Sequence, residues 1–124
     1  MIKKIFITLF LLVSLPANAV EKKTNFTIET LEKAKASGKT IVINSYEVWC
    51  GTCSKQTEVL NQAEKEFSEI VFLSYEQSKN KNIAKKLGIK NWTTIVVYKG
   101  DNEIVRIVGQ TDKETIYSAI QKGI

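Results

Sequence analysis

The spacing of apolar and polar positions predicts alternating helices and strands along most of the chain. Apolar residues three or four positions apart predict helices at residues 27–37, about 50–67, 80–87 and 112–121. Runs rich in β-branched and aromatic residues predict strands at 40–46, 70–75, 94–98 and 103–108. The last two strands are separated by Lys99-Gly100-Asp101-Asn102, which is typical of a hairpin. This order predicts an α/β fold with a central mixed sheet of about four strands, closed by an antiparallel hairpin and covered by helices on both faces.

Finer features of the same pattern predict burial and helix ends. The strands at 40–46 and 70–75 are apolar enough to be buried on both faces. Gly88 is expected to end the third helix, and Thr111 or Asp112 to cap the fourth. The apolar stripe of the second helix consists of Val59, Leu60, Ala63 and Phe67.

The first nineteen residues have the layout of a secretory signal peptide. A basic start at Lys3 and Lys4 precedes an apolar run over residues 5–15, and Ala17-Asn18-Ala19 is a small-residue cleavage signal. We therefore expect cleavage after Ala19 and a single mature domain over residues 20–124. An uncleaved membrane anchor is the less favoured alternative, because the apolar run is shorter than the roughly 20 residues of a membrane span.

Composition excludes some chemistry. The chain has no histidine, which rules out imidazole as a general base or a zinc ligand. The formal net charge is +5, but the basic residues are almost all lysines. We interpret their main cluster as a solvated helix face, and we expect no nucleic-acid partner. The clustered lysines are Lys79, Lys81, Lys85, Lys86 and Lys90.

Both cysteines of the chain lie two residues apart, at Cys50 and Cys53. Such a pair can be a redox dithiol, half of a metal site or a structural staple. A structural zinc takes four Cys or His ligands, and the chain has no others to offer, so a metal would have to be shared between two copies. As a staple, so short a loop would constrain the unfolded chain little. The redox interpretation is favoured, and no metal is expected.

A predicted strand, then Trp49-Cys50-Gly51-Thr52-Cys53, then a predicted helix, resembles the active site of the thioredoxin superfamily. The resemblance extends over nearly the whole of residues 20–124 and implies a thioredoxin-like fold with thiol–disulfide oxidoreductase activity. It also implies that Cys50 is the nucleophile and Cys53 the resolving cysteine. Cys50 is expected at a helix N-terminus, where unpaired N–H groups stabilise a thiolate. No cofactor is expected beyond the redox-active disulfide itself.

The family's substrate groove is expected to involve Trp92, Thr93 and Gly109. Thr93 is aligned with a proline that follows a cis peptide bond in the family, and the mature chain contains no proline. A cis bond before threonine costs about 2.5–4 kcal/mol, so we expect a trans bond there. Trp92 either contacts the bound partner or packs on the domain's own surface. Trp49 is expected to shield one side of the disulfide.

The chain also departs from the family in the residue that is expected to accept the proton of Cys53. Asn44 is aligned with a buried aspartate, and Glu58 with a helix-kinking proline. Asn44 cannot take up a proton as a carboxylate does. If Cys53 needs a base, then Glu47, Glu58 or Glu76 would have to reach it directly or through water.

The direction of electron flow is predicted from what surrounds the cysteines. In a strong oxidant, a neighbouring cation commonly stabilises the thiolate of the reduced form. Gly51 and Thr52 carry no charge and provide no such cation, which favours a reductant. A disulfide-forming oxidant and a redox-silent binding module are the alternatives. We expect a monomeric periplasmic protein whose partners are cysteine-containing exported proteins and a membrane thiol–disulfide electron donor or acceptor.

Overall fold

Helices and strands alternate through residues 24–124, which are the part of the chain that the computed structural model describes. The predicted signal peptide and its cleavage site lie outside these residues. The elements are α1 (Ile28–Ala36), β1 (Thr40–Tyr46), α2 (Gly51–Glu66), β2 (Val71–Glu76), α3 (Lys81–Leu87), β3 (Thr94–Lys99), β4 (Asn102–Val108) and α4 (Lys113–Gln121). Every predicted element is present, and the boundaries differ from prediction by a residue or so.

The four strands form one mixed sheet in the order β2-β1-β3-β4. β1 is parallel to β2 and antiparallel to β3, and β3 pairs with β4 in the predicted antiparallel hairpin. Central β1 is buried along its whole length, as predicted. The prediction that β2 is equally buried is wrong, because β2 lies at the sheet edge and its residues Val71, Phe72 and Ser74 are only half-buried.

Two hydrophobic clusters, one on each face of the sheet, hold the layers together. On β1, Ile41 and Ile43 belong to the cluster beneath α1 and α3, while Val42 belongs to the cluster beneath α2 and α4. This division follows from the alternation of side chains along a strand. The helices therefore cover both faces, as predicted.

Helix ends follow the local sequence signals. The side chain of Thr27 accepts the N–H of Thr30 at the start of α1, and Asp112 accepts the N–H of Thr115 at 2.9 Å at the start of α4. The N-cap of α4 is thus Asp112 rather than Thr111. Gly88 ends α3 in the left-handed conformation, with φ of 64°.

The two ends of the described chain are tied to the sheet. The backbone N–H groups of Asn25 and Phe26 both donate to the Ser74 carbonyl on the edge strand β2. At the other end, the Thr40 hydroxyl donates to the Gly123 carbonyl at 2.6 Å. No helix within residues 24–124 is both long and apolar enough to span a membrane.

Candidate redox-active site

Cys50 and Cys53 lie where the chain passes from the end of β1 into the start of α2. Cys50 has extended backbone angles and is the N-cap of α2, and its sulfur accepts the N–H of Cys53 at 3.1 Å. The two cysteines form a disulfide with a Cα–Cα distance of 5.2 Å. Gly51 and Thr52 form the first turn of the helix between them, and both are exposed.

The two cysteines differ in their access to solvent. Cys50 is 7% exposed and Cys53 is fully buried. Tyr46, at the end of β1, packs against both of them in a small cluster of its own. Cys50 is therefore the more accessible of the two residues.

The start of α2 is a favourable place for a negative charge. A helix N-terminus presents unpaired N–H groups and the positive end of the helix dipole. The first turn of α2 carries no acidic side chain that would oppose an anion there. A thiolate at Cys50 is stabilised by this arrangement, as the sequence predicts.

Thr93, the residue before β3 in the expected substrate groove, has an unusual backbone conformation. Its φ is +70°, the left-handed region, which a β-branched residue rarely occupies and which costs of order 1–3 kcal/mol. No peptide bond within residues 24–124 is cis, so the predicted trans bond before Thr93 is confirmed. The Thr93 N–H donates to the Ser45 carbonyl at 2.8 Å, and its own carbonyl accepts the N–H of Gly109 at 3.0 Å. The structure thus brings Thr93 and Gly109 together beside the end of β1.

Gln56 connects α2 to this loop, and the sequence analysis did not single it out. The side chain is fully buried. Its Nε2 atom donates to the Thr93 carbonyl at 2.9 Å and to the Gln110 carbonyl at 2.8 Å. Gln56 lies three residues after Cys53 and four before Leu60, so it falls on the same face of α2 as these buried residues. A polar residue on an apolar helix face is the sequence feature that could have identified it.

Trp49 and Trp92 pair with each other beside the residues of the expected substrate groove. Their rings meet edge to face with centroids 5.0 Å apart, and the two residues are 68% and 41% exposed. Neighbouring Val48 is also exposed. The result is an apolar surface directly beside the disulfide. Trp92 thus packs on the domain's own surface through Trp49 and is still partly exposed, and its contact with a partner stays a prediction.

Asn44 lines a small cavity of about 60 Å³ between α2 and the β1–β2 edge. Its Nδ2 atom is buried without a hydrogen-bond partner among residues 24–124. Thr57 lines the same cavity, and its hydroxyl donates to the Cys53 carbonyl at 2.8 Å. A cavity of this volume, lined in part by polar groups, has room for water molecules that would satisfy the amide.

The acidic residues proposed as proton acceptors occupy three different environments. The buried carboxylate of Glu47 accepts from the Ser78 N–H at 2.6 Å and the Ser78 hydroxyl at 2.9 Å. Glu76 is buried and pairs with Lys79 at 3.3 Å, whereas Glu58 is exposed on α2. The relay role of each remains a prediction. Residues 24–124 contain no group of three or more Cys, Asp or Glu side chains that could hold a metal ion.

Comparison with known proteins gives a consistent result. The protein-family model described as Thioredoxin matches residues 18–122. A curated relative named Thioredoxin H-type, from Fagopyrum esculentum, is 32% identical over 89 residues, covering 72% of this chain and 77% of the relative. Thioredoxin from Chlamydia pneumoniae is 27% identical over 94 residues, covering 76% of this chain and 91% of the relative.

Solved structures show the same fold. Trxlp from Edwardsiella tarda superimposes with a TM-score of 0.72 at 18% identity, covering 75% of this chain and 92% of that protein. Thioredoxin from Fasciola hepatica gives a TM-score of 0.69 at 24% identity, covering 77% and 93% respectively. The α/β fold of this chain is therefore shared with these proteins.

Proposed function

The chain belongs to the thioredoxin family and is a thiol–disulfide oxidoreductase, and from this premise we propose that it reduces disulfides in exported proteins. The observation that carries the proposal is the placement of Cys50 as the N-cap of α2, where Cys50 keeps 7% of its surface exposed and Cys53 none. Gly51 and Thr52 add no charge between the cysteines. A slightly exposed nucleophile and a fully buried resolving thiol suit thiol–disulfide exchange, and the uncharged turn between them favours a reductant.

The reaction moves two electrons from the dithiol to the substrate. The Cys50 thiolate attacks one sulfur of the substrate disulfide, whose S–S bond breaks, and the departing substrate thiolate takes a proton from solvent. Cys53 then loses its proton and attacks the Cys50 sulfur. This step breaks the mixed disulfide, releases the second substrate thiol and leaves the Cys50–Cys53 disulfide.

The groove beside the disulfide positions the substrate in this proposal. Trp92 and Gly109 flank Thr93, and together these residues offer backbone and apolar surface to an extended segment around the target cysteine. Trp49 borders the same surface, and the Gly51-Thr52 turn fixes the spacing of the two sulfurs. Water in the cavity beside Asn44 is the route by which the Cys53 proton leaves.

The oxidised protein has to be reduced again, and we propose a membrane thiol–disulfide protein as the electron donor. The proposal depends on export, because the periplasm is kept oxidising and supplies no dithiol of its own. Purification from the bacterial envelope followed by mass spectrometry should yield a chain that begins at Val20. Recovery of a chain that still carries residues 1–19 would favour the membrane-anchored alternative.

The reduction potential tests the direction of electron flow. We expect a value near or below about −270 mV, measured by tryptophan fluorescence in graded thiol redox buffers. A value near about −120 mV would reverse the assignment and indicate disulfide formation. Cys50→Ser should abolish exchange, whereas Cys53→Ser should accumulate a mixed disulfide with the substrate. Absence of any reversible transition in the wild-type protein would leave the binding-module alternative.

A further inference from the structure

Gln56 is a polar side chain in a position where the fold calls for an apolar one. It lies on the buried face of α2 with Cys53, Leu60 and Ala63, and it is fully buried. Burying an amide is unfavourable unless its donors and acceptors are satisfied, and the Gln56 Oε1 atom is buried without a hydrogen-bond partner among residues 24–124. The retention of a polar group at this position therefore calls for an explanation in terms of what the amide contacts.

Both hydrogens of the Gln56 amide are used to hold backbone carbonyls of the groove. One is accepted by Thr93 at 2.9 Å and the other by Gln110 at 2.8 Å. These carbonyls belong to two loops that are separate in sequence, one before β3 and one after β4. A single side chain thus joins the helix that carries both cysteines to both walls of the groove.

Thr93 is the residue of the groove that most needs such support. Its φ of +70° is unfavourable for threonine, and a residue keeps such a conformation only where surrounding contacts over-determine it. Here the backbone N–H is fixed by the Ser45 carbonyl, and the carbonyl is fixed by the Gly109 N–H. The Gln56 amide adds the third hydrogen bond and the only one of the three that comes from a side chain.

We propose that Gln56 is a positioning residue that holds the Thr93 loop in its left-handed conformation, so that the groove is preformed for a protein substrate. The proposal rests on the proposed function in one respect, namely that the groove binds the substrate chain. Gln56 acts through Thr93 and takes no part in the exchange of sulfur atoms. Small disulfides, which do not occupy the groove, should therefore be insensitive to its replacement.

Backbone hydrogen exchange of the oxidised protein tests the positioning role without reference to activity. Gln56→Met keeps the length of the side chain and removes both donors. The matched control is Gln62→Met on the same helix, where the side chain is exposed and its Nε2 atom donates to the Glu66 carboxylate at 3.3 Å. Exchange at Thr93 and Gly109 should accelerate about tenfold or more in Gln56→Met, as expected for losing one or two hydrogen bonds. Ile43 in the centre of β1 should be unchanged.

Single-turnover kinetics test the consequence for substrates. The reduced protein is mixed with a synthetic peptide carrying an internal disulfide, or with hydroxyethyl disulfide, and tryptophan fluorescence is followed. In Gln56→Met the half-saturating peptide concentration should rise about tenfold, with the limiting rate and the hydroxyethyl disulfide rate within about twofold of wild type. Adding Thr93→Gly should recover peptide binding, because glycine adopts a φ of +70° without support.

Several results would overturn the proposal. Unchanged exchange at Thr93 and Gly109 in Gln56→Met would do so, as would equal losses with peptide and hydroxyethyl disulfide. If Gln56→Met failed to fold, even when combined with Thr93→Gly, the amide would be needed for the stability of the whole fold rather than for the conformation of the Thr93 loop. If the wild-type protein exchanged with neither disulfide, the proposed function would fail, and hydrogen exchange alone would still decide the role of Gln56.

Discussion

Asn44 places a neutral amide in the wall of a small cavity that is linked to Cys53 through one side chain. Thr57 connects the two, since it lines the cavity and its hydroxyl bonds the Cys53 carbonyl. The amide can orient water in this cavity, but it cannot take up the proton that Cys53 must lose before attacking the mixed disulfide. The resolving step should therefore be slower near neutral pH than a carboxylate at this position would allow.

Asn44→Asp should accelerate the resolving step roughly tenfold or more near neutral pH. A carboxylate buried at this position has a raised pKa and can act as a general base, an effect commonly worth 10²–10⁴-fold. The measurement is the lifetime of a mixed disulfide with a small thiol between pH 6 and 9. Asn61→Asp is the control, because Asn61 lines the same cavity from an exposed position. Equal lifetimes for Asn44→Asp and wild type across this range would contradict the prediction.

Among single residues, those with a distinctive chemistry could be predicted and those defined by geometry could not. Cys50 and Cys53 were evident because two cysteines at this spacing have few other uses. The trans bond before Thr93 followed from the cost of the cis form. The left-handed φ of Thr93 and the contacts of Gln56 depend on how distant segments meet, and no local pattern encodes that. Tyr46, which packs on the disulfide, was equally hidden inside an ordinary strand sequence.

Among the elements, α4 shows how a helix cap makes stability depend on pH. The Asp112 carboxylate accepts hydrogen bonds from the Thr115 hydroxyl and backbone N–H, and these bonds lower the pKa of that carboxyl below its usual value. A carboxylate whose pKa is lowered by folding stabilises the protein at pH values above the unfolded pKa. That contribution is lost as the pH falls through the folded pKa.

Replacing Asp112 by asparagine should remove this pH dependence and keep the cap. Asparagine also accepts the Thr115 N–H but does not titrate in this range. On acidification from pH 7 to about pH 3, the wild-type urea midpoint should therefore fall further than that of Asp112→Asn. Other carboxyls titrate alike in both proteins, so the difference isolates the cap. Parallel falls in the two midpoints would show that the cap charge does not contribute.

Element types were predictable because their patterns are strong, whereas burial depended on neighbours. β1 and β2 have similar apolar sequences, and the sequence alone predicted two buried strands. The order of strands in the sheet makes their burial differ, because β1 lies between β2 and β3 while β2 has a neighbouring strand on one side only. The apolar stripe of α2 was predicted for the half of the helix away from the cysteines. Gln56, in the other half, was omitted because it is polar.

At the scale of the whole molecule, the packing of the C-terminal segment against the sheet depends on Gly123. A Cβ atom at this position would lie 2.6 Å from Val97 Cγ1 and 3.0 Å from Thr40 Cγ2. Both contacts are with residues of the central strands, which cannot move away easily. The segment after α4 therefore approaches the sheet only because this residue has no side chain.

Gly123→Ala should lower the free energy of unfolding by about 1–3 kcal/mol, the usual range for overpacking. Gly51→Ala is the matched control, because a Cβ there meets nothing within 4 Å, and it should be neutral or stabilising by up to about 1 kcal/mol. Guanidinium unfolding of the two oxidised variants measures both values. Equal stabilities would mean that the end of the chain moves aside at little cost.

The hairpin of β3 and β4 also carries features that discourage strand pairing with a second chain. Val97 pairs with Val105 while the next residue, Tyr98, pairs with Glu103, so Ile104 is the extra residue of a bulge in β4. β4 is an edge of the sheet, and it carries the Glu103–Arg106 ion pair. Bulges and charged side chains both discourage a second chain from adding a strand to an exposed edge. This edge is thus protected against continuation of the sheet into a neighbouring molecule, so that addition of a foreign strand is disfavoured on this side of the sheet.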